Sequence, residues 1–194
     1  LDRLEAEHGN LIAAVEWSLS SPEDRERGWR ILLDLTWMWY RRGYLTEARR
    51  WYEKAIEQTA SLGDSLMRGL ILSNAGMVAM WQSDLAAAAR LMDEGLLLLR
   101  RLGDPPVLAR ALFGRGVLAV NQGDAQRATS YLEEALALFE TAGQQWFPAI
   151  ILLHLGNVAL SEGHLDGAQS YLNECLTLGR AVGDQWIVEY AVNN

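Results

Sequence analysis

The sequence predicts an all-α protein: four stacked helical hairpins with a 40-residue period, an extra helix ahead of them and a truncated fifth unit behind. Three observations carry this expectation. Residues recur at intervals of 40: Gly63, Gly103, Gly143 and Gly183; Leu32, Leu72, Leu112 and Leu152; Ala48, Ala88, Ala128 and Ala168; Ile56, Leu96, Leu136 and Leu176. A fifth series, Gly43, Ser83, Gly123 and Gly163, keeps the interval with one substitution. Fixed-period self-similarity marks supersecondary units that bury their apolar faces on one another. Within a unit, apolar residues fall at three- and four-residue steps, and no bounded polar/apolar alternation argues for a strand.

The elements follow in chain order. Residues 2–19 read as an amphipathic helix, and residues 1–21 as a packing segment ahead of one continuous repeat domain over 22–194. Helix pairs are expected at 22–61, 64–102, 104–142 and 144–182, with residues 184–194 opening a fifth unit. The third unit shows the logic. Leu108, Ala111, Leu112, Arg115, Val117, Leu118 and Val120 form the first stripe. Asn121 to Asp124 then interrupts it, with Gly123 suited to a left-handed turn and Asp124 to the next N-cap. Ala125, Ala128, Tyr131, Leu132, Ala135, Leu136 and Phe139 form the second stripe, which ends at Gly143. Asp64, Asp104 and Asp184 follow their glycines and are expected to cap the next helix, whereas Gln144 breaks the rule. Pro105 and Pro106 suit a first helical turn, where a missing N–H costs little.

Composition bounds the function. Half of the 194 residues are apolar and 22% are charged, a globular balance. The net charge of −8 and pI of about 4.9 disfavour a nucleic-acid surface. One cysteine excludes an internal disulfide framework and a cysteine-based structural zinc site. The sequence shows no basic-then-apolar leader, and apolar runs such as Phe147 to Leu153 are too short to span a bilayer, so a soluble cytoplasmic protein is expected.

Glycine inside a helix costs about 1 kcal/mol relative to alanine. Yet Gly76, Gly116 and Gly156 recur within the first helix of three units, with Ala88, Ala128 and Ala168 twelve residues later. Close helix–helix approach is the physical reason. The pattern resembles the tetratricopeptide repeat, with Leu155-Gly156-Asn157 its nearest match. The small-residue register favours it over HEAT-like repeats of similar length. The standard unit is about 34 residues, so these helices are longer, the usual helix-ending proline is absent, and Thr36 stands where the first unit's glycine is expected. The resemblance implies a right-handed α-solenoid.

A second resemblance lies in Glu7-His8-Gly9-Asn10-Leu11 and Ala13 to Trp17, extended by Trp37 to Gly43 and by Leu45 and Glu47 to Trp51. It is similar to the segment entering the helical-repeat sensor of large bacterial ATP-dependent transcriptional regulators related to the maltose-operon activator. That implies ATPase and DNA-binding domains elsewhere in a parent chain. No phosphate-binding G-x-x-x-x-G-K-[ST] loop or basic recognition helix is present in these residues.

Catalysis is not expected. His8, His154 and His164 have no metal-ligand spacing, Cys175 takes a small core position, and pairs such as Glu133-Glu134 and Asp93-Glu94 diverge on their helices. No cofactor is implied. Binding is the expected function. In the tetratricopeptide pattern a concave wall would be lined by Arg30, Leu33, Trp37, Tyr40 and Arg41; by Leu70, Ser73, Met77, Met80 and Trp81; by Arg110, Phe113, Val117, Val120 and Asn121; and by Ile150, Leu153, Asn157, Leu160 and Ser161.

Two readings of this wall stand: a surface for a protein, peptide segment or small effector, or a set of residues packed between helices. Apolar patches and Trp, Tyr and Arg mark interfaces, and Arg30, Arg41 and Arg110 could meet a carboxylate or phosphate. The aromatic cluster Trp29, Trp37, Trp39, Tyr40, Tyr44, Trp51 and Tyr52 reads mainly as core beneath the N-terminal helix. Around Leu172 and Leu176 the last unit offers an end face for a homodimer. The functional expectations are therefore a sensor or scaffold segment of a regulator, a stand-alone adaptor, or a self-association module.

Overall fold

The computed structural model of the protein describes residues 6–193. Among them are ten α-helices, one short 3₁₀ turn and no strand. They are α1 (His8–Ser20), α2 (Arg25–Arg42), α3 (Leu45–Thr59), α4 (Leu66–Trp81), α5 (Leu85–Leu102), α6 (Pro105–Asn121), α7 (Ala125–Thr141), α8 (Trp146–Ser161), α9 (Leu165–Ala181) and α10 (Gln185–Val192). The helix expected over 2–19 is seen as α1; its residues 2–5 lie outside the described residues.

The chain divides into two compact units, Leu1–Leu102 and Gly103–Asn194. In the first, α2 pairs with α3 and α4 with α5, α1 lies on α2, and the first helices α2 and α4 run side by side. In the second, α6 pairs with α7 and α8 with α9, α10 packs on α9, and α8 has α6 and α10 as neighbours.

Local chemistry sets the ends of the helices. Asp104 accepts from the Val107 N–H, Asp124 from Arg127, and Asp184 from both Trp186 and Ile187. Asp64 departs from the expectation. A 3₁₀ turn over Ala60–Leu62 shifts the entry, so Ser65 caps α4 through the Arg68 N–H and Asp64 pairs instead with Arg101 at 2.8 Å. Ser83 adopts φ 64 where its sister positions carry glycine, so the turn geometry is kept at the cost of some backbone strain. Asp84 follows it. The Ala87 N–H and then the Arg49 guanidinium hold its carboxyl below the usual carboxylate range. Arg49 reaches Asp84 at 3.0 Å and Gln82 at 3.3 Å, tying α3 to the turn between α4 and α5.

The helical glycines mark close approach. A methyl group on Gly116 would lie 2.7 Å from Leu132, and one on Gly156 would lie 2.9 Å from Leu172. Ala88, Ala128 and Ala168 are all buried opposite them. The aromatic cluster divides. Trp29, Trp39, Trp51 and Tyr52 are core, whereas Trp37 and Tyr40 keep open surface. Tyr52 donates to the Leu32 carbonyl and pairs with the Thr36 hydroxyl, which satisfies the polar group that replaces glycine in this hairpin. Gln58 accepts from Trp29 and donates to the Leu19 carbonyl, pinning α1 to the hairpin below it.

Candidate functional site

A helix packed on its partners leaves one stripe open, at steps of three and four residues. On α2 that stripe is Arg30, Asp34, Trp37 and Arg41; on α4 it is Leu70, Asn74, Met77 and Trp81. These two stripes make one face of the first unit, because α2 and α4 are neighbours.

Aromatic rings dominate that face. Tyr40 stacks on Trp81 with centroids 4.3 Å apart. Trp37 lies 5.2 Å from Tyr40 and meets Trp81 edge-on at 6.4 Å. Such arrangements favour association beyond simple area burial, so the three rings brace one another. Tyr40 is nevertheless 38% exposed, and Trp37 and Trp81 are half-buried. Polar groups flank the rings. Arg41 is exposed, Arg30 is held by Glu26 at 2.6 Å, and Asn74 commits its amide N–H to the Leu70 carbonyl. The face can therefore take an apolar or aromatic group in the middle and polar or charged groups at its edges.

The second unit has a smaller, more closed counterpart on α6 and α8. Phe113 meets Phe147 edge-on at 5.8 Å and His154 at 5.9 Å. Desolvation pushes the His154 imidazole down to about 4, so it is neutral at physiological pH. The buried Asn157 Oδ1 has no hydrogen-bond partner among the described residues. Arg110 and Asn121 are exposed on α6.

The residues expected to line a wall thus separate. Arg30, Arg41, Arg110 and Asn121 are exposed, and Trp37, Met77, Trp81 and Asn157 are half-buried. Phe113, Val117 and Ile150 are 9%, 8% and 2% exposed, so they serve packing more than surface. Leu33, Ser73, Met80 and Leu153 are buried as well. The residues after Leu33 and Ser73, Asp34 and Asn74, keep open surface instead, whereas those after Phe113, Val117 and Ile150 are buried. One residue turns a side chain by about 100° around a helix, enough to exchange groove for core.

Elsewhere, His8 stacks on Tyr44 at 4.5 Å, and its Nε2 lies 3.2 Å from both Trp39 Nε1 and Glu47 Oε2. Cys175 is fully buried, and burial pushes its thiol up to about 11. Among the described residues no group of three or more His, Cys, Asp or Glu side chains is placed to hold a metal ion. No helix among them is long and apolar enough to cross a membrane.

Residues 58–193 match the family model described as the MalT-like TPR region, and residues 30–57 match a tetratricopeptide repeat model. No curated protein sequence matches the chain. Solved structures with similar folds include a Rap protein complexed with Competence and Sporulation Factor, with TM-score 0.75 and 16% identity over 97% of this chain and 55% of that one. A signal transduction ATPase with numerous domains and a tetratricopeptide repeat sensor, from Pyrococcus horikoshii, gives TM-score 0.72 and 17% identity over 97% of this chain and 30% of that one. BtubC from P. vanneervenii gives TM-score 0.71 and 22% identity over 94% and 75% of the two chains. The chain spans about half the length of the Rap protein and less than a third of the Pyrococcus ATPase.

Proposed function

Because the chain belongs to the MalT-like TPR region family, we propose that it is the sensing segment of a signal-transducing ATPase regulator and that its first-helix faces take a protein or peptide segment. In this reading the parent is a cytoplasmic bacterial transcriptional regulator, and its ATPase and DNA-binding domains lie outside these residues. The chain itself binds rather than catalyses and needs no cofactor.

The observation that carries the reading is the Trp37, Tyr40 and Trp81 cluster, which leaves ring surface in solvent beside the exposed Arg41. Aromatic and arginine anchors at the centre of a surface are where binding energy concentrates. The Rap structure, complexed with Competence and Sporulation Factor, and the sensor-bearing ATPase of Pyrococcus support the reading by likeness of fold. Regulation would follow by population shift. A ligand that binds one arrangement of the repeats against the ATPase better than the other moves the equilibrium by its differential affinity.

The test is ATPase activity of the parent protein with and without its ligand, for wild type and for the Trp37→Ala, Trp81→Ala pair. The proposal expects ligand dependence in the wild type and its loss in the variant, with basal activity retained. Ligand dependence unchanged in the variant would remove the first-unit face from the mechanism. An ATPase indifferent to every ligand that binds would leave an adaptor instead of a sensor.

A further inference from the structure

The first unit carries a cleft that the faces above do not use. It lies between the second helices, α3 and α5, with Ala75 and Ala79 of α4 as its floor, and has a volume of about 250 Å³. Comparison across the 40-residue period shows why it exists. The position of Ala75 is Leu35, Arg115 and Leu155 in the sister hairpins, and that of Leu91 is Trp51, Tyr131 and Tyr171. Each sister hairpin therefore places a long side chain and an aromatic ring where this one places a methyl group and a leucine. In the third hairpin the Arg115 guanidinium lies over the Tyr131 ring at 5.8 Å, so the two longer side chains pack on each other. Protein interiors are otherwise close-packed, and apolar surface left in an unfilled cleft forgoes both transfer and dispersion energy.

The mouth of this cleft carries both signs of charge. Arg49, Glu53 and Glu57 stand at four-residue steps on α3, and Arg90 stands on α5. Arg49 and Glu53 are bonded to each other at 3.2 Å. The Glu57 carboxylate and the Arg90 guanidinium are exposed and make no hydrogen bond or ion pair among the described residues; Arg90 adds to the field that lowers the Asp84 carboxyl. The cleft is thus an apolar pit with one uncommitted carboxylate and one uncommitted guanidinium at its edge. Its volume lies below the range of about 300–1,000 Å³ usual for drug-sized ligands.

We propose that this cleft binds a free α-amino acid with a large apolar side chain. The side chain lies in the cleft over Ala75 and Ala79, where the sister hairpins carry longer residues. The α-carboxylate pairs with Arg90 and the α-ammonium with Glu57. The site is separate from the first-helix faces, and its failure would leave the reading of those faces untouched.

The experiment is isothermal titration calorimetry of the whole chain with L-phenylalanine, L-tryptophan and L-leucine, and with 3-phenylpropionate, which lacks the ammonium group. Ala75→Leu copies the filler of two sister hairpins and should abolish binding while keeping the helical circular dichroism. Arg90→Gln should weaken it at least about tenfold, the equivalent of one charge-assisted contact. If Ala75→Leu fails to fold, Arg90→Gln and Glu57→Gln still decide. No binding tighter than about 1 mM by any of the three amino acids would overturn the proposal. So would undiminished binding to folded Ala75→Leu, or binding of 3-phenylpropionate as tight as that of L-phenylalanine.

Discussion

Gly76 of α4 lies so close to Met92 of α5 that a methyl group on the glycine would sit 2.5 Å from Met92 Cγ and 3.1 Å from the Ala88 carbonyl oxygen. The contact joins two residues sixteen apart across their hairpin. Gly76→Ala should therefore destabilise the protein by about 1–3 kcal/mol, because helix propensity gains less than overpacking costs. Gly167 in α9 has nothing within 4 Å of its would-be methyl group, so Gly167→Ala should be neutral or stabilise by up to about 1 kcal/mol. Urea unfolding of the two variants checks both. Equal effects would mean that the internal glycines do not serve close approach.

That contact was legible in the sequence, and so were the helix pairs. Glycines at helix-internal positions with alanines twelve residues on leave few packings that bury both. The open stripe of each first helix was less legible. Repeat spacing locates a helix along the chain but does not set its rotation about its own axis. In the first unit Leu33 and Ser73 turn inward and Asp34 and Asn74 keep open surface, whereas in the second Phe113 and Leu153 are buried and His154 is desolvated. The cap at Ser65 was hidden for a similar reason: a 3₁₀ turn after α3 moved the start of α4 by one residue.

His154 should make stability depend on acid. Its imidazole is held near 4 in the folded protein against about 6.5 in an unfolded chain. Below about 6.5 the unfolded state binds a proton that the native state refuses, so stability falls as pH drops from 6.5 towards 4, by up to about 3 kcal/mol from this group. His154→Leu should flatten that part of the curve. Thermal unfolding at pH 7 and pH 5 reads it, and an unchanged difference between the two pH values in the variant would show that His154 is not desolvated.

Asp184 should matter more than Asp124. Both cap a helix, but Asp184 accepts from two backbone N–H groups and also from Trp146 Nε1 at 2.9 Å, whereas Asp124 serves one N–H. Replacing Asp124 by alanine should cost about 0.5–2 kcal/mol, and replacing Asp184 should cost more, since it also strands an indole N–H. Guanidinium unfolding of the pair gives the order, and the reverse order would contradict the contacts assigned to Asp184.

Cys175 should be chemically silent in the native state. A buried thiol pushed up to about 11 carries little thiolate at neutral pH, and the thiolate is the reactive form. Labelling by a thiol reagent should be slow in buffer and fast in denaturant. Rapid labelling of native protein would mean that α9 opens locally.

The face built by Trp37, Tyr40 and Trp81 is proposed as a binding surface. It is tested most directly by selecting peptides from a random library on the wild-type chain and measuring their affinity for folded Trp37→Ala and Trp81→Ala variants. The selected peptides should lose at least about tenfold in affinity on either change, with helical circular dichroism retained. Peptides that bind both folded variants as tightly as the wild type would contradict it and would assign the three rings to packing alone.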